Sequence, residues 1–341
     1  MTTATSKMNK QVVLASRPVG EPTDENFNLI ESATPEPGEN EVLLQTIYLS
    51  LDPYMRGRMS EAKSYAQPVP IGGVMEGATV CKVVASKNKK FSEGEYVVSY
   101  SGWQQYSISD GSGLRKVDES IAPLHTALGV LGMPGLTAYT GLLNIGKPVE
   151  GETVVVSAAS GAVGGVVGQI AKIKGCRVIG IAGGKKKCDY VKEELGFDAC
   201  LDHKSNDLAG QLAKACPKGI DVYFENVSGP VFDAVLPLLN DFARVPVCGL
   251  IAHYNDTELP PGPNRLPALM RDILTKRLTF RGFIVTDYAD QHMDFARDVS
   301  GWVKSGQIKF KVDMVSGLEN AARALQGLLR GENFGKVIVE V

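Results

Sequence analysis

The stretch "VVVSAASGAVGGVVGQIAKIKG", Val154 to Gly175, decides how the rest of the chain is read. It passes from an unbroken apolar run, through alanine, serine and glycine, to apolar residues at helical spacing. "TVVVSAA" reads as a buried strand. Val163, Val166, Val167 and Ile170 then fall at i, i+3, i+4 and i+7, one face of a helix. Glycines at such a strand-to-helix turn let backbone approach a pyrophosphate and let the helix pack closely on the strand. The free N–H groups and dipole at the helix start then favour an anion. Gly161 and Gly164 occupy the second and third glycine positions of GxGxxG, with Ala159 at the first. Alone, the same pattern describes any small-residue turn.

A second feature agrees with the phosphate reading. About 20 residues past the glycines, an NAD-binding unit places a carboxylate at the end of the second strand for the ribose hydroxyls. This chain has "AGGKKKCDY" there, with Lys185, Lys186 and Lys187 after Gly183 and Gly184. A carboxylate would repel a 2′-phosphate; lysine attracts it and glycines leave it room. One or two of the lysines are expected to lie on a solvated helix face. With no acidic competitor foreseen, the turn's ligand is expected to be NADPH.

Outward from this turn, strand and helix signals alternate. "CRVIGIAG" reads as strand, "KKKCDYVKEELG" as helix and "ACLD" as strand. "DLAGQLAKAC" reads as helix, "GIDVYFENV" as strand, "VFDAVLPLLN" as helix and "ARVPVCGLI" as strand. "LPALMRDILTKR" and "LTFRGFIV" add a helix and a strand. Repeated strand–helix units with continuous apolar strands predict a parallel sheet covered on both faces. Residues 10–125 are instead rich in Gly, Pro and short alternating runs such as "GATVCKVVAS", which suits a β domain with many turns. The closing "KFKVDMV", a helix near Leu318–Leu329 and "GKVIVEV" look like a return to that domain. The fold class expected is α/β, with a β domain at 1–128 and 305–341. A doubly wound parallel-sheet domain at 129–304 is inserted before the C-terminal tail.

The chain has 341 residues, 44% hydrophobic and 22% charged, with net charge −2. That leaves no basic field for nucleic acid or a membrane surface. No apolar run approaches membrane-spanning length. No secretory signal is read at the N-terminus, whose first eight residues are expected to form a loose tail, and a cytoplasmic location is expected. The six cysteines form no CxxC and the four histidines no HxxxH, so no metal is expected.

Several motifs carry a family resemblance. "AASGAVGGVVGQIAKIKGC", "FENVSG", "CGLIAHYN", "LPPGP", "RGFIV" and "GENFGKVIVEV" resemble the zinc-independent medium-chain dehydrogenase/reductases, in the prostaglandin reductase and alkenal double-bond reductase branch. "YLSLDPYMRGRMS", "IGGVMEG" and "GVLGMPGLTAYTGLL" extend the likeness through the first domain. The resemblance implies a GroES-like β domain and a Rossmann domain with NADPH in the cleft between them. It also implies a homodimer, joined through the edge strand "LTFRGFIV". Zinc-dependent relatives carry a His-Glu motif and a four-cysteine lobe. Here Val74 and Met75 precede Glu76, and the lobe is absent.

Carried over by position, the resemblance puts Gly161, Ala162, Val163, Gly164 and Gly165 at the pyrophosphate and Lys187 on the 2′-phosphate. Asn226 is implied where the fourth strand meets the cofactor, and Cys248, Gly249 and Tyr254 at the nicotinamide half, with Phe283, Ile284 and Val285 flanking it and Asn333 reaching it from the tail. His203 replaces a tyrosine common in relatives near the adenosine phosphate. The implied reaction reduces conjugated enones or enals, curcumin-type enones among them, with Tyr254 as principal donor to the developing enolate. Tyr54 is expected to shape or polarise the pocket, with Tyr65 and Met133 in the substrate wall. Arg56 and Arg58 are expected to pair with local carboxylates, and His253 to be a relay or simply an exposed loop histidine. Alternatives are a quinone oxidoreductase of the same superfamily and a cofactor-binding scaffold without turnover.

Overall fold

A computed structural model describes residues 8–260 and 262–341. The first seven residues of the expected N-terminal tail lie outside the described residues, as does Pro261 of "LPPGP", and the eighth, Met8, already begins a strand. The chain opens with β1 (Met8–Leu14), β2 (Phe27–Ala33), β3 (Val42–Ser50), helix α1 (Tyr54–Arg58), β4 (Thr79–Ser86), β5 (Tyr96–Ser99), β6 (Tyr106–Ser109) and β7 (Arg115–Val117). From α2 (Met133–Thr140) the pattern changes to β8 (Thr153–Ser157), α3 (Gly164–Ile173), β9 (Arg177–Ala182), α4 (Lys185–Glu193), β10 (Ala199–Asp202) and α5 (Leu208–Ala215). It continues as β11 (Ile220–Phe224), α6 (Gly229–Val235), β12 (Leu239–Val247), α7 (Leu266–Lys276), β13 (Thr279–Gly282) and α8 (His292–Lys304). The last elements are β14 (Val312–Ser316), α9 (Ala321–Leu329) and β15 (Lys336–Glu340).

Two units result. One runs to Gly129 and resumes over Val312–Val341; the other is Val130–Lys311. Residues 305–311, expected in the β domain, go with the second unit for a packing reason. Ile308 is buried in the core that holds α3. Gln169 donates to the Lys309 carbonyl at 2.9 Å and accepts its N–H at 2.7 Å.

The first unit holds a seven-stranded sheet in the order β14-β15-β3-β4-β5-β7, with β6 paired to β3, and a β1–β2 hairpin. Its largest core gathers Leu49, Leu51, Met55, Met75, Trp103, Leu325 and Val337. The returning β15 lies antiparallel to β3, which ties the chain's end to its beginning. This is the GroES-like domain of the fold class expected from the sequence.

The second unit is a six-stranded, wholly parallel sheet ordered β10-β9-β8-β11-β12-β13. In chain order that is 3-2-1-4-5-6, the doubly wound Rossmann arrangement. Val154 and Val156 of β8 enter one core and Val155 the other, so this strand is buried on both faces. The continuous apolar run is explained by that position. One helix differs from the sequence reading. "VFDAVLPLLN" stays α-helical only to Val235, passes through a 3-10 turn at Leu236–Leu238, and Leu239 already begins β12. Pro237 cannot donate the hydrogen bond that would extend the helix.

Helix α3 packs against Phe197 at Gly168, where a Cβ would overlap the ring. Phe197 is itself buried and has nowhere to yield. Gly168→Ala is therefore expected to destabilise the protein by about 1–3 kcal/mol, even though alanine is the better helix former by roughly 1 kcal/mol. Urea unfolding would read this directly, and Phe197→Leu in the same chain should recover part of the loss. A Gly168→Ala protein as stable as the parent would contradict the packing account.

Candidate active site

In an open parallel sheet the ligand crevice opens where neighbouring strands send their helices to opposite faces, here between the C-terminal ends of β8 and β11. The seam is closed by polar side chains. Ser157 Oγ accepts the Asn226 N–H at 2.9 Å, and Asn226 Nδ2 donates to the Ser157 carbonyl at 2.8 Å. Glu225 is 2% exposed. Its Oε1 receives the Tyr223 hydroxyl at 3.0 Å and the N–H groups of Val227 and Ser228 at 2.7 and 2.9 Å. Asn226 thus reaches the crevice as a bridge between the two strands. Neither Ser157 nor Glu225 was singled out from the sequence; the signal was a carboxylate inside the apolar run "VYFEN".

The glycine turn sits on one lip of this crevice. Ala158 is in the left-handed region at φ 50°, and its carbonyl accepts the Gly161 N–H at 2.9 Å. A Cβ on Gly164 would run into that carbonyl and come within 3.1 Å of the Ala159 Cα. Only glycine lets α3 start so close to β8. Among the described residues no side chain caps α3. Among the described residues the N–H groups of Ala162, Val163 and Gly164 have no protein acceptor. Orphan donors at the start of a ten-residue helix fit a pyrophosphate. Gly165 faces Leu195 and serves packing.

The far end of the site lies at the start of α4. Lys185 is exposed and paired with Asp189 at 2.6 Å, so it belongs to the solvated face. Lys187 is half-buried and close enough to His203 to act on it electrostatically. The His203 ring covers Gly183, where a Cβ would meet Nε2 at 2.9 Å. Burial first, then Lys204 and Lys187, hold this imidazole below the ordinary histidine value against the pull of Asp202. Near neutrality it is an uncharged ring with one N–H to donate. The expectation of no acid here needs correcting. Asp202 ends β10 beside the turn, its Oδ1 accepting the N–H groups of Gly184 at 2.9 Å and Lys204 at 3.0 Å. Those bonds hold it as a carboxylate and commit that oxygen to shaping the loop.

The third component is the loop after β12. Cys248 and Gly249 donate to the Glu225 carbonyl, Ile251 to that of Asn226 and Ala252 to that of Val227. These bonds hang the loop from the seam. Desolvation, with Glu225 nearby, pushes the Cys248 thiol up to about 12, which makes it unreactive. Tyr254 folds back so that its hydroxyl oxygen accepts the Leu250 N–H at 3.3 Å, and a Cβ on Gly249 would meet that oxygen at 3.1 Å. An accepting tyrosine oxygen still carries a proton to donate. His253 is held by Asp256, Nδ1 to Oδ2 at 2.7 Å, rather than placed as a relay to Tyr254. Phe283 is buried against Phe224 and Tyr288, so its ring serves the core. The Ile284 N–H is tied to Asp287, and Val285 is half-buried. Met133 is half-buried at the start of α2.

In the first unit Tyr54 opens α1, and two residues before it lies a buried ion pair. Lys336 Nζ donates to the Leu51 carbonyl at 2.5 Å and lies 3.1 Å from Asp52 Oδ1. Ser50 Oγ donates to the other carboxylate oxygen. Burial, then Asp52, Tyr100 and Glu76, raise the Tyr54 hydroxyl well above the ordinary tyrosine value, so it stays protonated. Arg58 meets Glu76 at 3.3 Å, as expected. Arg56 donates to the Gly20 carbonyl at 2.8 Å. Asn333 donates to the Gly335 carbonyl at 2.8 Å. Among the described residues no group of three His, Cys, Asp or Glu is arranged to hold a metal.

A dinucleotide crevice on a Rossmann sheet, joined in one chain to a GroES-like β domain, defines a pyridine-nucleotide oxidoreductase class. Residues 10–117 match the family described as the N-terminal domain of oxidoreductase, and 162–304 the one described as zinc-binding dehydrogenase. Over 334 residues the chain is 58% identical to the NADPH-dependent curcumin reductase of Escherichia coli, covering 98% of this chain and 97% of that protein. It is 42% identical to the NADP(+)-dependent 2-alkenal reductase of Nicotiana tabacum, covering 98% and 97%. The crystal structure of CurA from Vibrio vulnificus in complex with NADPH superposes with TM-score 0.94 at 57% identity, covering 97% of this chain and 99% of that one. The chain belongs to the medium-chain dehydrogenase/reductase family, with curcumin, alkenal and prostaglandin reductases among its relatives.

Proposed function

We propose that this protein is an NADPH-dependent ene-reductase acting on α,β-unsaturated ketones or aldehydes, curcumin-type enones among them. The observation that carries the reading is the phosphate-binding geometry, Lys187 and the orphan donors of α3, in a chain 58% identical to a curcumin reductase along its whole length. NADPH, when bound, supplies the hydride that adds to the β-carbon. The chain's own residues bind and orient. The N–H groups of Ala162, Val163 and Gly164 hold the pyrophosphate, and Lys187 with neutral His203 holds the 2′-phosphate. Tyr254 donates to the carbonyl oxygen as negative charge builds there, where a donor contributes most. Tyr54 shapes the pocket and, being protonated, adds a second polar edge.

The proposed setting is the cytoplasm, which suits six free thiols. No helix among the described residues is long and apolar enough to cross a membrane. A homodimer is proposed through β13, the outer strand of the six-stranded sheet. Its neighbour α7 exposes Leu266, Met270 and Leu274 at four-residue spacing, an apolar stripe a second copy would cover. Oxidation of NADPH in the presence of an enone, a quinone or neither tests the activity. Turnover with the quinone alone would discard the ene-reductase reading.

Three outcomes are expected. Lys187→Glu should raise the Michaelis constant for NADPH at least about tenfold, the scale of one lost charge contact of ~1.5 kcal/mol; equal use of NADH and NADPH by the parent would refute the assignment. Prolonged dialysis against a strong chelator should leave turnover unchanged, and a loss that only zinc reverses would reveal an overlooked ligand set. Tyr254→Phe should lower kcat about thirtyfold to a thousandfold with a smaller effect on substrate affinity. Tyr54→Phe should cost less; the reverse order would exchange the two roles.

A further inference from the structure

Two thiols meet beneath the lysine-bearing end of α4. Cys188 lies on α4, which packs on β9 and β10. Cys200 lies on β10, in register with Gly180 of β9. A Cβ on Gly180 would stand 3.2 Å from the Cys200 sulfur and 2.9 Å from Val191 of α4. Glycine there lets the helix settle onto the sheet until the two thiols touch, Cys200 donating to the Cys188 sulfur. The pair closes a small ring. The Cys188 N–H donates to the Gly184 carbonyl at 3.2 Å, and the Gly184 N–H to Asp202 Oδ1 at 2.9 Å. Asp202 stands two residues beyond Cys200, and Lys187 and His203 are the next residues along the two arms.

All six cysteines are free thiols. Burial holds Cys81, Cys176, Cys216 and Cys248 above the ordinary thiol value. Cys188 differs. The hydrogen bond from Cys200 holds it below that value against its burial, while Cys200, as donor, is raised. A more acidic sulfur touching a second thiol is the arrangement of an oxidisable pair. Cys188 is buried and Cys200 half-buried, so the pair lies close beneath the surface.

We propose that Cys188 and Cys200 form an oxidative modification site, joined into a disulfide by hydrogen peroxide, and that the bond weakens the hold on the cofactor's 2′-phosphate. The Cys188 sulfur attacks one peroxide oxygen, the O–O bond breaks, and a sulfenic acid and one water result. The Cys200 sulfur then attacks Cys188, the S–O bond breaks, the S–S bond forms and a second water leaves. Two thiols lose two electrons and the peroxide gains them. Covalent bonding draws α4 toward β10 beyond the hydrogen-bonded contact, one residue after Lys187. The turn beside it has little room to follow, since a Cβ on Gly183 would already stand 2.9 Å from His203 Nε2. The effect on the cofactor rests on the reading that Lys187 holds the 2′-phosphate; the bond itself does not.

The test treats the reduced protein with hydrogen peroxide. Intact mass, non-reducing peptide mapping and fluorescence titration with NADPH and NADH then read the result. The mass should fall by about 2 Da, with one peptide pair joining Cys188 to Cys200. Kd for NADPH should rise about fivefold to twentyfold and that for NADH less than about twofold, both reversed by dithiothreitol. Cys188→Ala and Cys200→Ala should each keep the Kd for NADPH within about twofold through the same treatment. Either variant serves if the other misfolds. A peptide map without the Cys188–Cys200 pair overturns the proposal, and so does cross-linked protein that binds NADPH as the reduced protein does. Reduced Lys187→Glu that binds NADPH as tightly as the parent removes the Lys187 reading instead, and the affinity effect with it, while the peptide map still decides the bond.

Discussion

The site hangs on one seam, the hydrogen-bonded closure between the ends of β8 and β11. A parallel sheet that sends helices to opposite faces must part its strands at that point, and the exposed backbone there needs partners. Ser157, Glu225 and Asn226 supply them. The glycine turn springs from one side of the seam and the loop bearing Tyr254 is suspended from the other. Glu225 Oε1 collects several donors, while its buried Oε2 has no partner among the described residues. Such a group is costly unless the surroundings dictate it, which ties the conformation of residues 226–228 to that carboxylate.

The two tyrosines are held by different physics. Tyr254 is positioned by backbone hydrogen bonds of a half-exposed loop, so its placement is only as firm as that loop's anchorage. Tyr54 is positioned by a short helix whose preceding turn is pinned by the buried Asp52–Lys336 pair. Burial pulls the Lys336 ammonium below its ordinary value, and Asp52 opposes the pull. Removing one member of such a pair strands the other charge, so it acts as a rigid pin rather than a source of net stability.

Much of the architecture was legible from residues. The strand–helix alternation, the double burial of β8, the return of the tail and the glycine turn all follow from periodicity and glycine geometry. Departures arose where one residue's tertiary partners overrode its local signal. Helix α6 ended early because Pro237 lacks the N–H to extend it and Leu239 is already paired with Ile220 of β11. Residues 305–311 joined the Rossmann unit because Gln169 captures both polar groups of Lys309. Phe283 lies in a motif associated with cofactor contact, yet its ring fills the core against Phe224. Asp202 escaped notice because a carboxylate held by backbone N–H groups looks, in sequence, like any polar loop residue.

By itself the sequence determined the class of the two domains, the preference for a phosphorylated cofactor and the family. These depend on spacing, on where glycine is tolerated and on the sign of charge, all of which are local. Tertiary structure alone decided that Lys185 pairs with Asp189 on the exposed face, that His253 is tied to Asp256, and that Arg58 comes close to the rings of Tyr54 and Tyr65. Each of those outcomes depends on a side chain's direction and on partners distant along the chain or around a turn. Linear order does not encode such distances; folding does.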